Sequence, residues 1–153
     1  MSFSLDIKSW ADASAQDVVD AKKGAAMTLI RRVLADTPID SGRLINNWRT
    51  GIDQRNGRTL TGEDPSGERS MSEAESKIRT VQGDETIIFS NNLPYAPVVE
   101  FGLYPNPPKN PTGKTVNGFS TQSRKGMARI NVQKMALDIS RDPNAWALAG
   151  KRL

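Results

Sequence analysis

NNLPYAPVVEFG, residues 91–102, holds two prolines, two aromatic residues and one carboxylate, and its reading decides the fold. Asn91-Asn92 ends a strand, Pro94 fixes the backbone, and Pro97 suits the first position of a helix, where its missing N–H would be unpaired anyway. Residues 96–101 then make one or two helical turns closed by Gly102 at the C-cap. Tyr95, Val98 and Phe101 share a face and are expected mostly in the core. Glu100 is left over, a charge flanked by Val99 and Phe101. Either it points into water or it pairs with a guanidinium, and Arg43 is the first candidate, because an unpaired buried carboxylate is strongly unfavourable. In the paired case Glu100 fixes geometry and does no catalysis.

Working outward, residues 12–36 read as a long amphipathic helix capped by Asp12 or Ser14, with Val18, Val19, Ala25, Ala26, Leu29, Ile30 and Val33 forming one apolar stripe. Thr37-Pro38 ends it, since the residue before a proline avoids the helical region. Asp40-Ser41-Gly42 turns the chain into a strand over residues 44–52, with Trp48 on the buried face. Residues 53–69 are polar and glycine-rich and read as an exposed loop. A short helix follows, capped by Ser70 or Ser72, and then a second strand centred on Ile87, Ile88 and Phe89. Residues 103–125 contain four prolines and no hydrophobic period, the composition of a functional or disordered loop. GMARINVQKMALDIS reads as another amphipathic helix, with Ala128, Val132, Met135, Ala136 and Ile139 on its buried face, stopped by Asp142-Pro143. The expectation is one α+β domain over residues 1–153, two long helices packed on a small, mainly antiparallel sheet with long mobile loops. Residues 1–12 would be an N-terminal arm, 53–69 and 103–125 extended loops, and 142–153 a C-terminal tail.

Composition narrows the chemistry. The 153 residues include no cysteine and no histidine. That removes disulfides, thiolate chemistry and the most common base and metal ligand near neutral pH. NPTGKT at 110–115 lacks the P-loop's first glycine, because Pro108 stands at that place, and it has neither the strand before nor the helix after. Glu73 and Glu75, two apart on a helix, diverge, so no convergent metal site is expected. We therefore expect no catalytic residue, no cofactor and no metal. The start shows no secretory pattern and no stretch is long and apolar enough to span a membrane, which points to a soluble cytosolic chain. The net charge of +4 is uneven, at +1 over residues 1–50, −4 over 51–100 and +7 over 101–153. The basic last third is either a solvated face or a surface for an acidic partner or nucleic acid.

Taken together, TPIDSGRLINNWR (residues 37–49), SNNLPYAPVVEFG (residues 90–102) and the later Gly126-Met127 resemble the tail-completion or head–tail joining proteins of long-tailed bacteriophages, the minor tail protein Z-like group. The resemblance runs from about Ala21 to Ile139. Its signature positions here are Thr37, Pro38, Asp40, Gly42, Arg43, Leu44, Trp48, Asn92, Pro94, Tyr95, Ala96, Glu100, Phe101, Gly102 and Met127. It implies a structural virion protein of the phage neck, an α+β subunit of an oligomeric, hexameric ring. The implied neighbours are the head–tail connector and the tail-terminator or tail-tube proteins, with DNA passing through the channel and no membrane. Arg43, Trp48, Pro94, Tyr95, Pro97, Glu100, Phe101 and Gly102 become the interface or geometry-fixing candidates. The competing reading is a basic accessory protein that binds nucleic acid non-specifically.

Overall fold

The computed structural model describes residues 3–142, with side chains described from residue 14. Four helices and two small antiparallel sheets follow one another as α1 (Phe3–Asp36), a 3₁₀ turn (Ile45–Asn47), β1 (Trp48–Ile52), α2 (Glu68–Arg79), β2 (Ile87–Asn91), α3 (Ala96–Phe101), β3 (Thr115–Val116), β4 (Phe119–Ser120) and α4 (Arg129–Arg141). The architecture is α+β. It has four helices among the described residues where the sequence suggested two long ones on a sheet, and no helix among them is long and apolar enough to cross a membrane.

Helix α1 begins at Phe3, so residues 3–12, expected as an arm, are helical, and Asp12 and Ser14 lie inside the helix instead of capping it. Its buried positions are Val19, Asp20, Gly24, Met27, Ile30, Val33 and Leu34, recurring every three or four residues. This stripe is rotated from the expected one, and Val18 is 70% exposed. The helix ends at Asp36 where Thr37-Pro38 intervenes, and the Thr37 hydroxyl donates back to the Val33 carbonyl at 2.7 Å.

β1 pairs with β2 in antiparallel register, Trp48 opposite Asn91 and Thr50 opposite Phe89. The Trp48 and Phe89 rings stack at 4.9 Å, and the Trp48 indole N–H donates to the Thr37 hydroxyl at 2.9 Å. An aromatic pair with its polar edge satisfied is a stable anchor for the sheet on α1. Residues 44–47, expected as strand, form the 3₁₀ turn, which turns both Asn46 and Asn47 inward. The core joins Met27, Ile30 and Val33 of α1 to Trp48, to Ala74 and Ile78 of α2, and to Leu93, Val99 and Met127.

Residues 53–69 are not a free arm. Asn47 Nδ2 donates to the Leu60 carbonyl at 3.0 Å while Leu60 N donates to Asn47 Oδ1 at 2.7 Å, so one side-chain amide clamps both backbone groups of one residue. Asn46 Nδ2 holds the Gly62 carbonyl and Asn92 Nδ2 the Asn56 carbonyl. α2 starts at Glu68, earlier than expected, and its cap is upstream. Asp64 accepts from Arg69 N at 2.9 Å and Ser66 Oγ from Glu68 N at 3.2 Å. Ser70, expected as a cap, is fully buried and donates to the Ile45 carbonyl at 2.8 Å.

The expected loop 103–125 contains the β3–β4 hairpin. Gln122 fastens it to the body, its amide bonding both the N–H and the carbonyl of Ile39 at 2.9 Å. α4 then packs on α1, with Arg32 pairing Asp138 at 2.7 Å. The face it buries is centred on Asn131 and Met135, whereas Val132 and Ile139, expected inside, are exposed. Asn131 Nδ2 donates to Asp36 Oδ2 at 2.7 Å and to the Met127 carbonyl at 2.8 Å, which explains how an amide occupies the core position. Residues 143–153, including Trp146 in the expected tail, lie outside the described residues.

Candidate functional site

The opening segment folds as its prolines require. Asn91 Nδ2 donates to the Leu44 carbonyl at 2.9 Å and ties the end of β2 to the turn before β1. Pro97 lies in the first turn of α3, and Gly102 closes that helix at φ 65°, a left-handed position where a Cβ would meet the Phe119 ring at 2.3 Å. The core side of α3 is Leu93, Ala96 and Val99. Tyr95 and Phe101, expected mostly inside, are 38% and 55% exposed, because six residues of helix can bury only the side that faces the core. Pro94 and Pro97 are exposed as well.

Glu100 is buried, and its partner is not Arg43. Its carboxylate accepts the backbone N–H groups of Met127, Ala128 and Arg129, each at 2.8 Å. These are the donors at the start of α4 that no helical carbonyl can satisfy. The anion also sits at the positive end of that helix's dipole. The Arg129 guanidinium stands 3.9 Å away and is half-exposed, so it adds little beside three charge-assisted bonds. Gly126 makes this approach possible, since a Cβ there would lie 2.5 Å from the Glu100 carbonyl oxygen. Its φ of 87° is also one that side chains rarely adopt. Glu100 thus fastens the start of α4 to α3, which is what the segment at 91–102 is for.

Four contacts tie the two signature stretches, β2 and Met127 together. Thr37 holds Trp48, Trp48 stacks on β2, Asn91 holds Leu44, and Glu100 holds Met127. Arg43 is exposed and makes no ion pair among the described residues. It lines a cleft of about 620 Å³ between the 38–44 turn and the 104–122 loop, together with Tyr95 and Tyr104. Partial burial pushes the Tyr95 phenol above its ordinary value, with the Arg43 charge acting against it and Tyr104 adding to it. Phe101 lies on another side, with the Arg129 guanidinium 5.7 Å from its ring centre.

Among the described residues no three Asp or Glu side chains gather where they could hold a metal ion. Glu73, weighed as a carboxylate-pair member, is bonded to Arg49, Lys77 and Asn56, and Glu75 pairs with Arg79 at 2.6 Å. The side chains that do the positioning, Asn46, Asn47, Asp64 and Gln122, were not singled out by sequence reasoning. The paired asparagines in INNW and SNNLP were the available signal, because each amide carries a donor and an acceptor that can replace a peptide partner. Comparison with protein-family models, with curated proteins and with solved structures found no match to this chain.

Proposed function

We propose that this chain is a structural subunit of a tailed-phage virion, placed in the neck, where it completes the tail and joins it to the DNA-filled head. The observation that supports this reading is the shared frame of the two signature elements and Met127, locked by side-chain bonds from Trp48 to Thr37, Asn91 to Leu44 and Glu100 to residues 127–129. A repeating subunit requires a fixed relation between the surfaces its neighbours meet. This frame supplies that relation while leaving Tyr95, Phe101 and Arg43 on the outside. In this reading the subunits form a ring, with a hexamer as the proposed copy number, between the connector and the tail-terminator or tail-tube proteins. Electron microscopy of lysates from a phage lacking this chain tests it. The expected result is filled heads accumulating beside separate tails or tails with abnormal ends, and normal infectious particles would overturn it.

A second reading is favoured by one observation. Arg124, Lys125 and Arg129 are exposed around a recess of about 300 Å³ that also touches Phe119. This basic patch suits weak, sequence-independent contact with nucleic acid phosphates. It predicts salt-dependent retardation of duplex DNA by the isolated chain, and an absence of retardation at low salt removes it.

A further inference from the structure

The 620 Å³ cleft combines two kinds of surface that ordinary solvated loops do not bring together. Its buried lining includes the apolar Leu44 at 7% and Val99 at 2% exposure, beside Ser120. Tyr95 and Tyr104 also border it. Three exposed cations border the same space, namely Arg43, Lys109 and Lys114. The sole carboxylate among the lining residues, Asp40, is bonded to Lys114 at 3.0 Å, a strongly exposed pair that contributes little. Arg43 and Lys109 form no ion pair among the described residues.

Size and charge together select the occupant. The volume is within the range of sites that take a small ligand or a few side chains. A duplex, whose major groove alone is about 12 Å wide, does not enter such a space. Two uncompensated cations over apolar walls match a chain that carries carboxylates and aliphatic side chains at once. The backbone N–H and carbonyl of Ile39 at the edge are both taken by Gln122, so an incoming chain cannot pair with that residue as an added strand. Recognition rests on side chains. We propose that this cleft binds an extended acidic–aliphatic peptide segment of a partner protein, with Arg43 and Lys109 receiving its carboxylates and Leu44 and Val99 its aliphatic side chains.

The inference stands apart from the neck reading, since either can fail without the other. The test is a titration of the full isotope-labelled chain, followed by amide chemical shifts, with three probes. These are a short peptide of alternating glutamate and leucine, its lysine–leucine counterpart, and a single-stranded oligothymidylate. The glutamate peptide is expected to shift amides around residues 39–44 and 104–114. Its affinity should fall with added salt and weaken about tenfold in an Arg43→Glu, Lys109→Glu double variant. Both side chains are exposed, so the variant should keep its fold, which its own amide spectrum reports, and Arg43→Gln, Lys109→Gln serves as a milder second variant. No shift at about millimolar peptide, equal binding of the lysine peptide, or unchanged affinity in both variants would overturn the proposal. Tighter binding of the oligothymidylate at the same amides would also overturn it, in favour of a nucleic acid strand.

Discussion

Residues 53–67 and residues 103–126 are both long, polar and short of regular structure, yet they are held in opposite ways. The first is fastened along its length by amide side chains from the core, with Asn47 on Leu60, Asn46 on Gly62 and Asn92 on Asn56. The second is fastened over its later part, by the hairpin, whose Gly118 carbonyl accepts from Tyr104 N, by Gln122 and, beyond Gly126, by Glu100. Among the described residues no hydrogen bond joins residues 105–111 to the body. Proline explains the difference. Pro105, Pro107, Pro108 and Pro111 carry no N–H, so this span offers fewer donors for clamping and takes its shape from fixed φ angles instead. The loop without clamps is the one that borders the cleft.

That contrast can be broken one bond at a time. Glu100→Ala removes the acceptor of three backbone donors, one of them on the buried Met127. It is expected to cost about 3–4 kcal/mol in urea unfolding, while Arg43→Ala stays within about 0.5 kcal/mol. Asn47→Ala comes next, at about 2 kcal/mol, because a fully buried amide bonded to Arg43 and Leu60 is lost. Amide exchange should quicken at Leu60 in that variant and remain unchanged in the β3–β4 hairpin.

Asp64→Ala should cost about 1 kcal/mol near neutral pH through loss of the cap on α2. The Ser66 hydroxyl and the Arg69 N–H hold the Asp64 carboxyl below its ordinary value of 3.8. A depressed acid stabilises the fold above its unfolded value and loses that contribution as pH falls through the folded one. The gap between wild type and variant should therefore close below about pH 4 in a series of thermal melts. Gln122→Ala is the smallest of the losses from removing a clamp, about 0.5–1 kcal/mol, since its two bonds to Ile39 are solvent-exposed. A loss as large as that of Asn47→Ala would contradict the distinction between the two loops.

Much of the frame was legible in the sequence because it rests on local rules. The stop at Thr37-Pro38, Pro97 in the first turn of α3 and Gly102 at its left-handed end are each decided by one residue's backbone. Trp48 was expected on the buried face of the strand and is buried, though four of the five β1 residues are buried and alternation does not single it out. Glu100 was left between pointing into water and pairing with a guanidinium, and its actual partners were missed, since backbone donors 27 to 29 positions away have no side-chain identity to read. Gly126 was the one trace of that approach. The buried face of α4 was misread for a related reason. Hydrophobic spacing favours Val132 and Ile139, whereas Asn131 enters the core by bonding Asp36 and the Met127 carbonyl. Polar side chains that satisfy backbone groups invert the usual inside–outside reading, as Glu100 and Asn131 do on either side of the start of α4.

The measurement that tests the account most directly is amide hydrogen exchange at Met127, Ala128 and Arg129 in the wild-type chain and in Glu100→Ala. The account predicts that all three are protected in the wild type and lose protection together in the variant, with Leu60 N unaffected. Fast exchange of the three amides in the wild type, or protection that survives the loss of the carboxylate, would contradict it.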